Sequence, residues 1–129
     1  MTVVAPVWQR LEGLALLAVS VLAYARFGEG WLLFAVLFLT PDLSFFGYLA
    51  GPRVGAWAYN LAHGLIGPLL LAATGGLTGD GLSIALALIW LAHIGFDRAL
   101  GYGLKSPDGF GVTHLGLIGA ARRDRRAAA

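Results

Sequence analysis

Glu12, Asp42, His63, His93 and Asp97 stand inside runs that are otherwise apolar. An unpaired charge in hydrocarbon costs roughly 2.5–3.5 kcal/mol on an insertion scale, so such residues are functional or tightly paired. His93 and Asp97 are four apart, a spacing that puts both on one helix face and lets them grip one ion. Tyr59 and His63 repeat that spacing, with Asn60 beside them. Asp42, His63, His93 and Asp97 together supply the N/O ligand set of a zinc, iron or manganese site. Glu12 or His114 would then be a further ligand or the general acid–base group. Haem b, held by His63 and His93, is a second option that leaves both aspartates unexplained. A polar network or proton relay that fixes helix register is the third. Arg98, Tyr102 and Lys105 follow the last pair and could bind an anionic headgroup, with Tyr59 and Asn60 as further substrate contacts.

These residues need elements to hold them, and composition names the class. The 129 residues are 58% hydrophobic and only 12% charged, about half the charged share of a soluble domain, which points to an integral membrane protein. The absence of cysteine excludes disulfides, thiolate zinc sites and iron–sulfur clusters. Four apolar segments approach the ~20 residues of a membrane span, at about 7–27, 31–50, 54–73 and 81–104. The first is expected to be a retained helix and not a cleaved signal peptide. Short joins force antiparallel neighbours, so the expected fold is all-α, a four-helix transmembrane bundle over residues 1–119. Counting rise per residue from the chain reversals puts the four candidate ligands at similar depth, with Glu12 entering on the same side. Pro41 should kink the second span near 39–42, and Gly64, Gly67 and Pro68 should let the third bend or pack closely. Gly47, Gly51, Gly55, Gly95 and Ala99 read as close-packing positions, and Asp80 as a carboxylate at a helix N-terminus.

With four spans, Arg10, Arg53, Arg98, Lys105, Arg122, Arg123, Arg125 and Arg126 share one side, against Arg26 on the other. The positive-inside rule then makes both termini cytoplasmic, in the bacterial inner membrane. Residues 106–118 are too short to span and should fold back over the bundle mouth, ahead of a basic tail at 120–129. Membrane lipid is the expected partner, a homo-oligomer is a possible one, and nucleic acid is not expected.

The stretches PDLSFFGYLAGPRVGAWAYNLAH, HIGFDRALGYGLK and FGVTHLG resemble a small bacterial membrane-protein family known as domain of unknown function 4260. That resemblance covers nearly the whole chain and implies a compact four-helix membrane protein, with no chemistry attached. The P-D-L after an apolar run and the isolated T-H-L-G are also similar to elements of bacterial membrane-bound metal-dependent hydrolases. Those proteins carry P-D-x-D and T-H-S, where this chain has Ser44 and Leu115. The resulting expectation is a metal-dependent hydrolase acting on an amphiphilic or lipid-like substrate at the cytoplasmic leaflet. Its rival is a non-enzymatic membrane protein, such as an ion relay, ligand-binding or accessory subunit.

Overall fold

A computed structural model describes residues 4–129. Its axis is α5 (Gly81–Leu100), whose buried Ala85, Ala87, Ala92 and Gly95 let neighbouring helices come close. Helix α1 (Val4–Phe27) lies along one side of it. A Cβ on Gly13 would sit 2.7 Å from the Ala99 nitrogen, and one on Gly95 would sit 2.6 Å from the Leu17 nitrogen. The two backbones touch here, the contact expected where packing, not water exclusion, drives helix association. Asp80 caps α5, accepting from the Leu82 N–H at 3.1 Å and the Ser83 hydroxyl at 2.7 Å. Gly101, at φ +94°, ends it, and the Tyr102 N–H folds back to the Asp97 carbonyl at 2.9 Å.

The second expected span is two pieces, α2 (Trp31–Leu37) and a 3-10 helix (Thr40–Ala50). The break falls where Pro41 predicts it, because proline brings no N–H to the ladder. Eleven residues is long for a 3-10 helix, and the tighter winding stretches the segment to about 30 Å in all. The third expected span is also divided. Helix α3 (Pro52–His63) packs on the 3-10 helix, and α4 (Ile66–Thr78) packs on α5. The chain is extended at Gly64 (φ −87°, ψ 158°), which stops α3 at His63.

Several expected boundaries are corrected. Helix α4 runs to Thr78, beyond 73, so the loop at 74–80 reduces to Gly79 and Asp80. Helix α5 stops at Leu100 instead of 104. The chain is not all-α: β1 (Lys105–Ser106), β2 (Gly109–Thr113) and β3 (Gly116–Leu117) form an antiparallel sheet in that order, with Lys105 opposite Thr113 and Val112 opposite Leu117. The sheet folds back against α3, and the basic tail is helix α6 (Gly119–Ala128). The backbone from 105 onward must pair its polar groups once it leaves the helix, and a hairpin does so locally.

Among the described residues, three helical segments are long and apolar enough to cross a membrane, Trp31–Ala50, Pro52–Thr78 and Gly81–Leu100. Helix α1 has the length at 24 residues, but carries Arg10, Glu12 and Arg26 and is not among the three. Large apolar side chains crowd the outside, with Leu32, Leu49 and Leu77 all more than three-quarters exposed. A surface this apolar calls for lipid or another apolar partner.

Candidate metal centre

Each of the three helix interruptions or faces described above delivers part of one cluster. Asp42 follows Pro41 directly at the start of the 3-10 helix. Its N–H bonds to the Leu39 carbonyl at 3.0 Å, so the Phe38 carbonyl receives neither that donor nor one from Pro41. His63 is the last residue of α3, and His93 and Asp97 project from one face of α5. The Trp90 indole N–H donates to the Ala62 carbonyl, a group that the break after α3 frees from its helical partner. This bond ties the end of α3 to α5 beside both histidines.

The four side chains meet at one point. His63 Nε2 lies 3.3 Å from Asp42 Oδ1, 3.3 Å from Asp97 Oδ2 and 3.1 Å from His93 Nε2. His93 Nε2 lies 3.3 Å from Asp42 Oδ1 and 3.4 Å from Asp97 Oδ2. The four ligand atoms all fall within 4.8 Å of one another. His63 and His93 are almost fully buried, Asp97 is 16% exposed and Asp42 is 36% exposed. Water therefore reaches the cluster from the carboxylate side.

The tautomer of His63 follows from its surroundings. Its Nδ1 is 2.9 Å from the Tyr59 carbonyl, which can only accept, so Nδ1 carries a proton and, in the neutral ring, Nε2 presents a lone pair to the cluster. The ring is held flat on Tyr59, with centroids 3.7 Å apart and planes 8° from parallel. The Tyr59 hydroxyl makes a long contact of 3.4 Å to Asp97 Oδ2. His93 Nδ1 is buried without a hydrogen-bond partner, and its ring is edge-on to Phe38.

The other expected site residues are distributed differently. Asp42, Tyr59, Asp97, Tyr102 and Lys105 line one pocket of about 310 Å³, closed by Phe45 and Phe110. Glu12 is not brought to the cluster; with Arg98 it lines a separate cavity of about 220 Å³ beside Gly13. Arg98 thus turns towards α1. His114 is also elsewhere, accepting the Leu104 N–H on Nδ1 at 2.7 Å. Asn60 is committed to the backbone of Lys105, accepting its N–H at 2.6 Å and donating to its carbonyl at 2.8 Å. Trp90, Phe45 and Phe110 were not singled out by sequence reasoning. Aromatic residues in an apolar chain carry no local sign of such a role, although Pro107-Asp108-Gly109 is a turn signature that announces the hairpin bearing Phe110.

Four converging N/O atoms, from two imidazole rings and two carboxylates, can hold a cation or a shared set of protons. No curated protein and no solved structure matches the chain. A family model does match, over residues 6–118, and the chain belongs to that family, described as Domain of unknown function (DUF4260).

Proposed function

We propose that Asp42, His63, His93 and Asp97 bind a divalent metal ion, and that the protein is a membrane-embedded metal-dependent hydrolase acting on an amphiphilic substrate. The observation that carries this reading is the spacing of the ligand atoms. A tetrahedral ion with bonds of about 2.0–2.1 Å requires its ligand atoms to be about 3.3–3.4 Å apart. Five of the six separations in the cluster run from 3.1 to 3.4 Å, and the sixth, between the two carboxylate oxygens, is within 4.8 Å, a gap that ion binding would have to draw in. Charge argues the same way. A bare Nε2 lone pair facing two carboxylate oxygens in a mostly buried site is repulsive until a cation sits between them. The soft ligands that would favour copper are absent from the set, and zinc, iron or manganese suit it best. Haem has weaker support, because a macrocycle between the two imidazoles would need the space that both carboxylates fill.

Bound at this point, the ion would lower the pKa of a coordinated water to about 7 and so supply a nucleophile at neutral pH. Asp42, the most exposed ligand, borders the pocket through which water and substrate would approach. An apolar groove of about 290 Å³, lined by Pro41, Ala62, Leu71 and Trp90, backs onto the segments bearing Asp42 and His63, which favours a substrate with an apolar portion. We read α1 as a fourth span, both termini as cytoplasmic and the setting as the bacterial inner membrane, on the strength of the one-sided basic residues. Arg10, Arg122, Arg125 and Arg126 line a common cleft, as contact with anionic lipid would require.

Metal analysis of protein purified without chelator tests the reading. About one equivalent of zinc, iron or manganese is expected, lost in His63→Ala and in His93→Ala while both remain folded. A wild-type protein that is metal-free and gains no stability from any of the three ions would overturn it.

A further inference from the structure

Lys105 is the buried charge that the metal cluster leaves over. The residue is only 5% exposed, and its ammonium has no ion-pair partner among the described residues. It is held over aromatic rings, 3.9 Å from the Phe110 centroid and 5.0 Å from that of Tyr59. Those contacts stabilise a cation and fix its position, but do not neutralise it. The two Asn60 hydrogen bonds clamp the Lys105 backbone to α3, so the ammonium is placed by a rigid helix and not by a free loop. Burial lowers the Lys105 pKa, opposed by the negative charge of Asp97.

The charge balance depends on the reading above. A divalent ion neutralises the two carboxylates that border the pocket, leaving the Lys105 ammonium without a counter-ion. The pocket itself, about 310 Å³, lies at the small end of ligand sites and suits a headgroup better than a whole lipid. Its remaining walls, Phe45, Phe110 and Ile118, are apolar. Arg98 is not on this pocket, so the anion is read by one ammonium and not by a guanidinium fork.

We infer that this pocket binds a phosphoryl-type oxyanion of the substrate, held between Lys105 and the metal ion, with Asn60 as the positioning residue. The inference rests on the metal reading, and the test separates the two. Inorganic phosphate is titrated calorimetrically into zinc-supplied wild type, Lys105→Met, Lys105→Gln and Asn60→Ala in detergent micelles, with zinc content measured in each. Phosphate binding should weaken by roughly 10- to 100-fold in both Lys105 variants, as for loss of a charge-assisted contact, with zinc content unchanged. Asn60→Ala should weaken it as well, again at full zinc content. Equal phosphate binding in wild type and both Lys105 variants, all zinc-loaded, overturns the inference and leaves the metal reading standing. If wild type takes up none of zinc, iron and manganese, the metal reading fails and the metal half of the oxyanion site with it; phosphate binding that still depends on Lys105 upholds Lys105 as the anion-binding group, and its absence overturns the inference too. Nanodiscs then identify the source. Phosphatidic acid that displaces inorganic phosphate from wild type marks a lipid headgroup, whereas undisturbed binding marks a soluble phosphoryl compound.

Discussion

Asp97→Asn preserves side-chain shape while removing one of two charges from the cluster, and the sign of its effect on stability separates an ion site from a polar network. The ligand oxygens of Asp42 and Asp97 lie within 4.8 Å of each other. At an effective dielectric of about 20, like charges at that distance repel by roughly 3 kcal/mol. On the metal reading both imidazoles are neutral ligands, so with a chelator present no cation in the cluster offsets this repulsion. The variant removes it, and the new amide group gains an acceptor in His63 Nε2, which lies 3.3 Å from the Asp97 oxygen. Asp97→Asn should therefore be more stable than wild type in chelator, by up to about 3 kcal/mol. Wild type, in turn, should gain about 2.7 kcal/mol when free zinc is a hundredfold above its Kd, and the variant should not. Losing about 3 kcal/mol of attraction to the ion corresponds to roughly a hundredfold weaker binding. The assay is reversible unfolding in micelles at pH 8, with chelator and with buffered zinc. If Asp97 instead held a protonated imidazole in a buried ion pair, the variant would lose about 3–5 kcal/mol in chelator. That loss, in a wild type indifferent to zinc, would refute the reasoning.

Two further outcomes are expected. Trp90→Phe leaves the Ala62 carbonyl without its indole donor, at a cost of about 1–3 kcal/mol, and loosens the end of α3 that carries His63. Zinc affinity, measured against a competing chelator, should fall about 10- to 100-fold, as for other residues that orient ligands; unchanged affinity would remove Trp90 from the account. The second concerns His114, whose pKa is lowered by burial and by the nearby positive charge of Arg98. Because its folded value lies below the unfolded ~6.5, its contribution is present above that pH and is lost as pH falls through the folded value. Protonated Nδ1 cannot accept the Leu104 N–H. Hydrogen exchange at residues 104–117, corrected for intrinsic rate, should accelerate between pH 7 and pH 5 in wild type and not in His114→Ala. The same acceleration in both would exclude His114 as its source.

Much of the candidate site is legible in the chain because its signals are local. A carboxylate or imidazole in an apolar run stands out wherever the run packs, and the four-residue interval of His93 and Asp97 sets a shared face without any tertiary contact. The break at Pro41 is likewise a property of one residue that lacks an N–H. Counting along a helix, however, yields depth and not direction around the axis. Glu12 fits the expected level, yet α1 approaches α5 through Gly13 and Gly95 on a different face from the ligands. The division of the third span at Gly64 was only partly legible, since glycine permits a break without requiring one.

By itself, then, the sequence determined an apolar helical chain, interrupted at Pro41, with two histidines and two aspartates available as ligands. It did so because hydropathy, the missing proline N–H and helical periodicity act over a few residues. The tertiary structure decided which groups meet. It brought ligand atoms 21 and 30 residues apart to 3.3 and 3.1 Å, and excluded Glu12 and His114 from the cluster. It also gave Asn60 the backbone of Lys105, 45 residues further along, as its partner. Separations of that kind depend on how small residues let α1, α4 and α5 pack and on how the hairpin returns to α3. Those are properties of shape between distant segments, and no short window of sequence contains them.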